Sequence, residues 1–126
     1  MFVISTAPTA RVPASVQVLD AAGQPQPQHF TVELRRLTQP EWDALFARHK
    51  VSDADIVGVS ENLQANAKLL AEVVVGWDGV SDGANPVAFD KGVLSQLLLG
   101  PDGPALSRGL FDAVSSLRYG MAAQKN

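Results

Sequence analysis

The sequence predicts an α+β fold: an N-terminal β-hairpin, with a candidate third strand beside it, followed by a helical body of about four helices. Three observations lead there. Period-two alternation of apolar and polar residues is confined to the first third of the chain. From Thr38 onward apolar residues recur at three- and four-residue spacings between capping residues and Gly or Pro stops. Strand and helix patterns do not alternate, so no parallel crossover that could host a nucleotide is expected. A chain of 126 residues fits one domain and can bury a core without disulfide or metal support. It divides into a β region (1–37), a helical region (38–122) and a polar tail (123–126).

In the β region Val16 and Val18, with Ala14 before them, alternate with Ser15, Gln17 and Leu19, while Phe30, Val32 and Leu34 alternate with Thr31, Glu33 and Arg35. Between the runs lies Asp20-Ala-Ala-Gly23-Gln-Pro25-Gln-Pro27, a loose polar hairpin tip in which Gly supplies positive φ and the prolines donate to no ladder. Phe2–Thr6 is the candidate third strand, interrupted beyond its end by Pro8 and Pro13.

Thr38-Gln-Pro40-Glu41 reads as a capping box with proline in the first turn. Trp42, Leu45 and Phe46 then form the stripe of a helix over 39–50, whose last turn carries Arg48, His49 and Lys50 where cations suit the helix dipole. A second helix is expected within 53–75, capped by Ser52 or Asp53, with Gly58 as a break and Ser60 as a restart. Leu63, Ala67, Leu70 and Val74 share its face, and Gly76 stands where a left-handed C-terminal cap would close it. Trp77 to Pro86 is expected as a loop. Asp90 caps a short helix bearing Val93, Leu94, Leu97 and Leu98, stopped by Gly100-Pro101. Pro104 opens the last helix, with Leu106, Leu110, Val114, Leu117 and Met121 on one face, and Ala122 to Asn126 is a fraying end.

Composition excludes several chemistries. The chain has no Cys, hence no disulfide framework, thiolate nucleophile or cysteine zinc site. Ten Lys and Arg against 13 Asp and Glu give a net charge of −3, which is wrong for a generic phosphate-backbone binder, so no nucleic-acid partner is expected. The acidity is local: residues 1–50 carry +1, 51–112 carry −6 and 113–126 carry +2. Such a stretch is ordinarily a solvated face, and its sharper reading is a docking surface for a basic partner. No apolar run approaches the ~20 residues of a membrane span, and Met1 to Ala10 lack the basic start and long apolar core of a signal peptide. No membrane association is expected.

The chemical motifs are equally sparse. Asp78, Asp82 and Gly83 superficially match a calcium loop, but Val80 and Phe89 replace two of its oxygen ligands, which leaves an Asp/Gly turn. His29 and His49 have no second ligand at metal spacing, and no Gly-x-Ser-x-Gly elbow is present. The carboxylate pairs Asp53/Asp55 and Glu41/Asp43 flank helix N-termini, where capping already accounts for acids. No phosphate-binding glycine loop occurs, and Arg35-Arg36 at a strand end discourages strand addition. No catalytic residue, metal ligand or cofactor is expected, and the reading is that of a binding protein. Trp42 and Trp77 are read as packing residues, and the stripes of the last two helices as core with any remainder available for partners.

One resemblance adds to this. The strand Phe30-Thr-Val-Glu-Leu-Arg-Arg36, the helix opening at Thr38-Gln-Pro-Glu41, the run Val-Val-Val-Gly76-Trp77-Asp78-Gly79-Val80 with Asp82-Gly83, then Asn85-Pro86 to Asp90, a short helix ending in three leucines and a C-terminal helix follow one another in a familiar order. Over about residues 14–122 this layout resembles the tail assembly chaperones of long-tailed bacteriophages. The departures are the proline-rich hairpin tip and Gly92 and Gly109 within helices. The resemblance implies a non-enzymatic late protein of viral morphogenesis, working in the host cell cytoplasm and absent from the finished virion. It implies binding to the tape-measure protein, whose hydrophobic helices it keeps soluble, with the tail-tube protein as a second candidate partner and a frameshifted longer product as a family habit. Leu110, Val114 and Leu117 on the last helix are the candidate partner-binding residues, and they equally suit a core. The alternative is a virion structural protein, a tail-tube or head–tail connector subunit whose hairpin would join a ring.

Overall fold

The computed structural model describes residues 1–51 and 60–120. Its elements are β1 (Thr9–Leu19), β2 (Pro25–Arg35), α1 (Gln39–His49), α2 (Ser60–Val73), β3 (Val74–Asp78), β4 (Ser81–Asp82), β5 (Asn85–Pro86), α3 (Lys91–Leu98) and α4 (Gly103–Tyr119). The fold is α+β: a three-stranded antiparallel sheet of order β1-β2-β3, four helices, and a separate two-stranded β4-β5 turn.

The β1–β2 hairpin closes at Asp20. Its Oδ1 accepts the Ala22 and Gln24 amides, both at 2.9 Å, its own amide donates to Gln24 O at 3.0 Å, and Gly23 takes φ +78°. With Asp20 and Gln24 a bonded pair, antiparallel alternation makes the even-numbered pairs the bonded ones. Pro13 (opposite Thr31), Pro25 (opposite Leu19) and Pro27 (opposite Gln17) all fall on odd pairs, so none removes a β1–β2 hydrogen bond. That is why β1 runs through Pro13 rather than stopping there.

The third strand differs from the expectation. Phe2–Thr6 forms no strand; β3 takes its place, entered directly from α2, and Thr31, Val32, Glu33 and Leu34 pair with Asp78, Trp77, Gly76 and Val74. The register slips between Glu33 and Leu34, so Val75 is the extra residue of a bulge. Gly76 is therefore a strand residue facing Glu33, not a left-handed cap, and the expected Trp77–Pro86 loop holds the end of β3 and the β4-β5 turn. β-branched residues at 74 and 75 favour this extended path.

The capping signals hold. Thr38 Oγ1 accepts the Glu41 amide and Glu41 Oε1 accepts the Thr38 amide, and α1 ends at Lys50 in the left-handed region. Asp90 Oδ1 accepts the Gly92 and Val93 amides at the start of α3, and Gly120 (φ +65°) closes α4. Ser52, Asp53, Asp55, Gly58 and Met121, with the polar tail, lie outside the described residues.

Val12, Ala14, Val16, Val32 and Leu34 are buried on the inward face of the sheet. Against it lie Leu110, Phe111, Ala113 and Val114 of α4, with Leu69, Leu70 and Val73 of α2, Leu94 and Leu98 of α3, and Trp42 and Leu45 of α1 completing the core. The opposite sheet face is polar, with Thr9 Oγ1 donating to Glu33 Oε2 at 2.8 Å.

Candidate functional site

At the tip end of the hairpin the inward face continues beyond the helices that cover it, and an apolar groove of about 570 Å³ opens there. β1 contributes Val16 and Val18, β2 contributes Phe30, and Leu106 and Leu110 of α4 form the floor. Val93 and Leu97 of α3 stand opposite, and Trp77 and Val87 close one side. Leu97 is 42% exposed, so the groove carries an uncovered leucine at its lip. His29, Asp82 and Asp102 are the ionisable side chains along its wall.

β3 and the turn after it shape this site. Trp77 Nε1 donates to Val87 O at 2.8 Å and its ring meets Phe89 edge-on at 5.0 Å, while the Val87 amide donates to Val80 O at 2.9 Å. The β4-β5 turn is thereby pinned beside the groove. Gly79 turns the chain beside Phe30 at φ +88°, a backbone conformation that residues with a side chain rarely adopt.

The candidate residues of the last helix separate. Leu110 is 1% exposed and reaches the groove only as its buried floor, Val114 is 2% exposed within the core, and Leu117 is partly buried beside Trp42 and Arg118 at the other end of α4. They do not form one accessible stripe. The residues that do line open space there, Val18, Phe30, Leu97 and Leu106, come from four different elements, each of which in sequence reads as ordinary core.

The remaining polar groups are structural in arrangement. Arg118 lies over the Trp42 ring at 5.2 Å and the Phe46 ring at 5.5 Å, and donates to Gln39 Oε1 at 3.3 Å. His49 does not stand alone at its helix end: with Arg48 it bonds Glu72 of α2, Arg48 at 2.6 Å, tying α1 to α2. The His49 hydrogen bond, with Arg48 adding to it, holds the Glu72 carboxyl below its ordinary 4.5. Among the described residues no three His, Asp or Glu side chains gather as a metal site would need, and no helix is long and apolar enough to cross a membrane. Compared with protein-family models, with curated proteins and with solved structures, the chain matches none.

Proposed function

We propose that this protein is a non-enzymatic tail assembly chaperone of a long-tailed bacteriophage, binding apolar helical segments of the tape-measure protein in the host cytoplasm and keeping them soluble until the tail is built. The observation that carries the reading is the apolar groove beside β3, together with the order of elements that resembles this family. An amphipathic helix presents anchors at i, i+3, i+4 and i+7, and a groove walled by Val18, Phe30, Leu97 and Leu106 offers apolar surface for such a face. Asp82 and Asp102 along the groove suit basic residues flanking the apolar stripe of a client.

The test is co-expression with overlapping tape-measure fragments, followed by co-purification and mass spectrometry of purified virions. The expected result is capture of apolar helical fragments, loss of capture on Leu97→Asp, and absence of the protein from virions. Stoichiometric presence in mature particles would overturn the chaperone reading in favour of a tail-tube or connector subunit.

A further inference from the structure

Met1–Ile4 form an apolar arm that none of the described residues covers. Their exposures are 117, 89, 75 and 79%, whereas Leu19, Leu97, Leu99 and Tyr119, the other large apolar side chains left in water among the described residues, are not part of such a run. The root of the arm is fixed: Arg36 Nη1 donates to Ser5 Oγ at 2.9 Å and Ala7 O at 3.0 Å, and the Arg36 amide donates to Pro8 O at 2.9 Å. That root adjoins the Thr9–Arg35 end of the hairpin, and the groove lies towards the other end, at Val16 and Val18.

Distance forbids the arm from filling the groove of its own chain. At 3.4 Å per residue, β1 spans about 24 Å from Thr9 to Val16, whereas four extended residues reach at most about 14 Å. A second copy offers the same groove without that limit. Four apolar side chains hide about 100 Å² each. With the covered walls counted and the exchange made reciprocal, the total is about 1,600 Å², the size of a standard stable interface.

We propose that this chain self-associates by arm exchange, Met1–Ile4 of one copy seating in the groove between the hairpin, the β4-β5 turn, α3 and α4 of a second copy. The inference goes beyond the chaperone reading and stands without it; where both hold, arm and client compete for one groove.

Two measurements on the full chain test it. In sedimentation velocity the unmodified protein should reach twice its 13.4 kDa mass with rising concentration, and either Phe2→Asp with Ile4→Asp in the arm or Leu97→Asp in the groove should weaken self-association at least about tenfold. Larger species that collapse to monomer in both variants also support the exchange, the arms then running head to tail. Because the chain has no Cys, copies carrying Phe2→Cys mixed with copies carrying Leu97→Cys should give a mixed disulfide on oxidation. A monomer at every concentration, or a dimer that the arm substitutions leave intact, would overturn the proposal. Phe2 and Ile4 are exposed, so circular dichroism of the arm variant should match the unmodified protein and exclude misfolding as the cause.

Discussion

Gly109 lies in the middle of α4, where an alanine would ordinarily strengthen the helix by about 0.8–1 kcal/mol. The packing predicts the opposite sign. A Cβ at this position would stand 2.6 Å from Ser15 O and 2.8 Å from Val16 Cγ2, both on β1. Carbon and carbonyl oxygen normally keep about 3.3–3.6 Å apart, so α4 and β1 must separate by most of an ångström. The Ser15 carbonyl belongs to the backbone of a paired strand and cannot swing aside as a side-chain tip would. Overpacking costs about 1–3 kcal/mol; two contacts under 3.0 Å, one of them to backbone, put this site in the upper part of that range. After the helix gain, Gly109→Ala should therefore destabilise by about 1–2 kcal/mol, lowering the melting temperature by about 3–8 °C. Urea unfolding followed by far-ultraviolet circular dichroism measures this. Ser107→Ala on the same helix is the control: Ser107 is 1% exposed and its hydroxyl has no partner among the described residues, so its removal should leave stability equal or higher. If Gly109→Ala proved as stable as the unmodified protein, helix propensity would have won and the close α4–β1 approach would be refuted.

Other perturbations have equally definite signs. Thr38→Ala removes the hydroxyl that accepts the Glu41 amide and should cost about 1 kcal/mol in urea unfolding, with fraying confined to the first turn of α1 by amide exchange. Trp77→Phe keeps an aromatic side chain but loses the larger indole and its hydrogen bond to Val87 O; it should cost at least about 1 kcal/mol and speed exchange of the Val87 amide, which the pinned turn protects. Glu72 titrates below its ordinary 4.5 when folded, so the stability it contributes is present above that pH and lost as pH falls through the lower folded value. The group is 37% exposed, so solvent screening leaves an effect of only about 0.5 kcal/mol. The stability difference between the unmodified protein and Glu72→Gln should shrink between pH 6 and pH 3, and a constant difference would remove Glu72 as its source.

Local signals were legible in the sequence because their physics is local. The alternation of Val16 and Val18 against Val32 and Leu34, the Thr38 box, the Asp90 cap and the stop after Leu98 each depend on a few neighbouring residues. β3 was not legible as a strand. Val74 continues the helical spacing set by Leu63, Ala67 and Leu70, and a short buried apolar run fits both periods. What decides it is pairing with Glu33 and Leu34, some forty residues earlier, which no local pattern carries. The groove shared that fate, since Trp77 and the β4-β5 turn take their places only once β3 is a strand. Gly109, read alone, weakens a helix; beside Ser15 it is what lets the helix dock.

The same alternation along the hairpin bears on how anything binds here. Odd-numbered residues of β1 and β2 turn their amides and carbonyls away from each other, towards the sheet edges. On β1, Pro13 lacks an amide at that edge and the Ser15 carbonyl is covered by α4 at Gly109. On β2, beyond the stretch paired to β3, Pro25 and Pro27 leave His29 with the one outward amide between Pro25 and His29. A strand added along the Pro25–His29 stretch of β2 would find one donor, so that stretch discourages strand addition. The apolar surface that stays open is made of side chains, from Val18 and Phe30 across to Leu97 and Leu106. Partners that bury their own apolar side chains suit it, such as an amphipathic helix or the Met1–Ile4 arm of another copy.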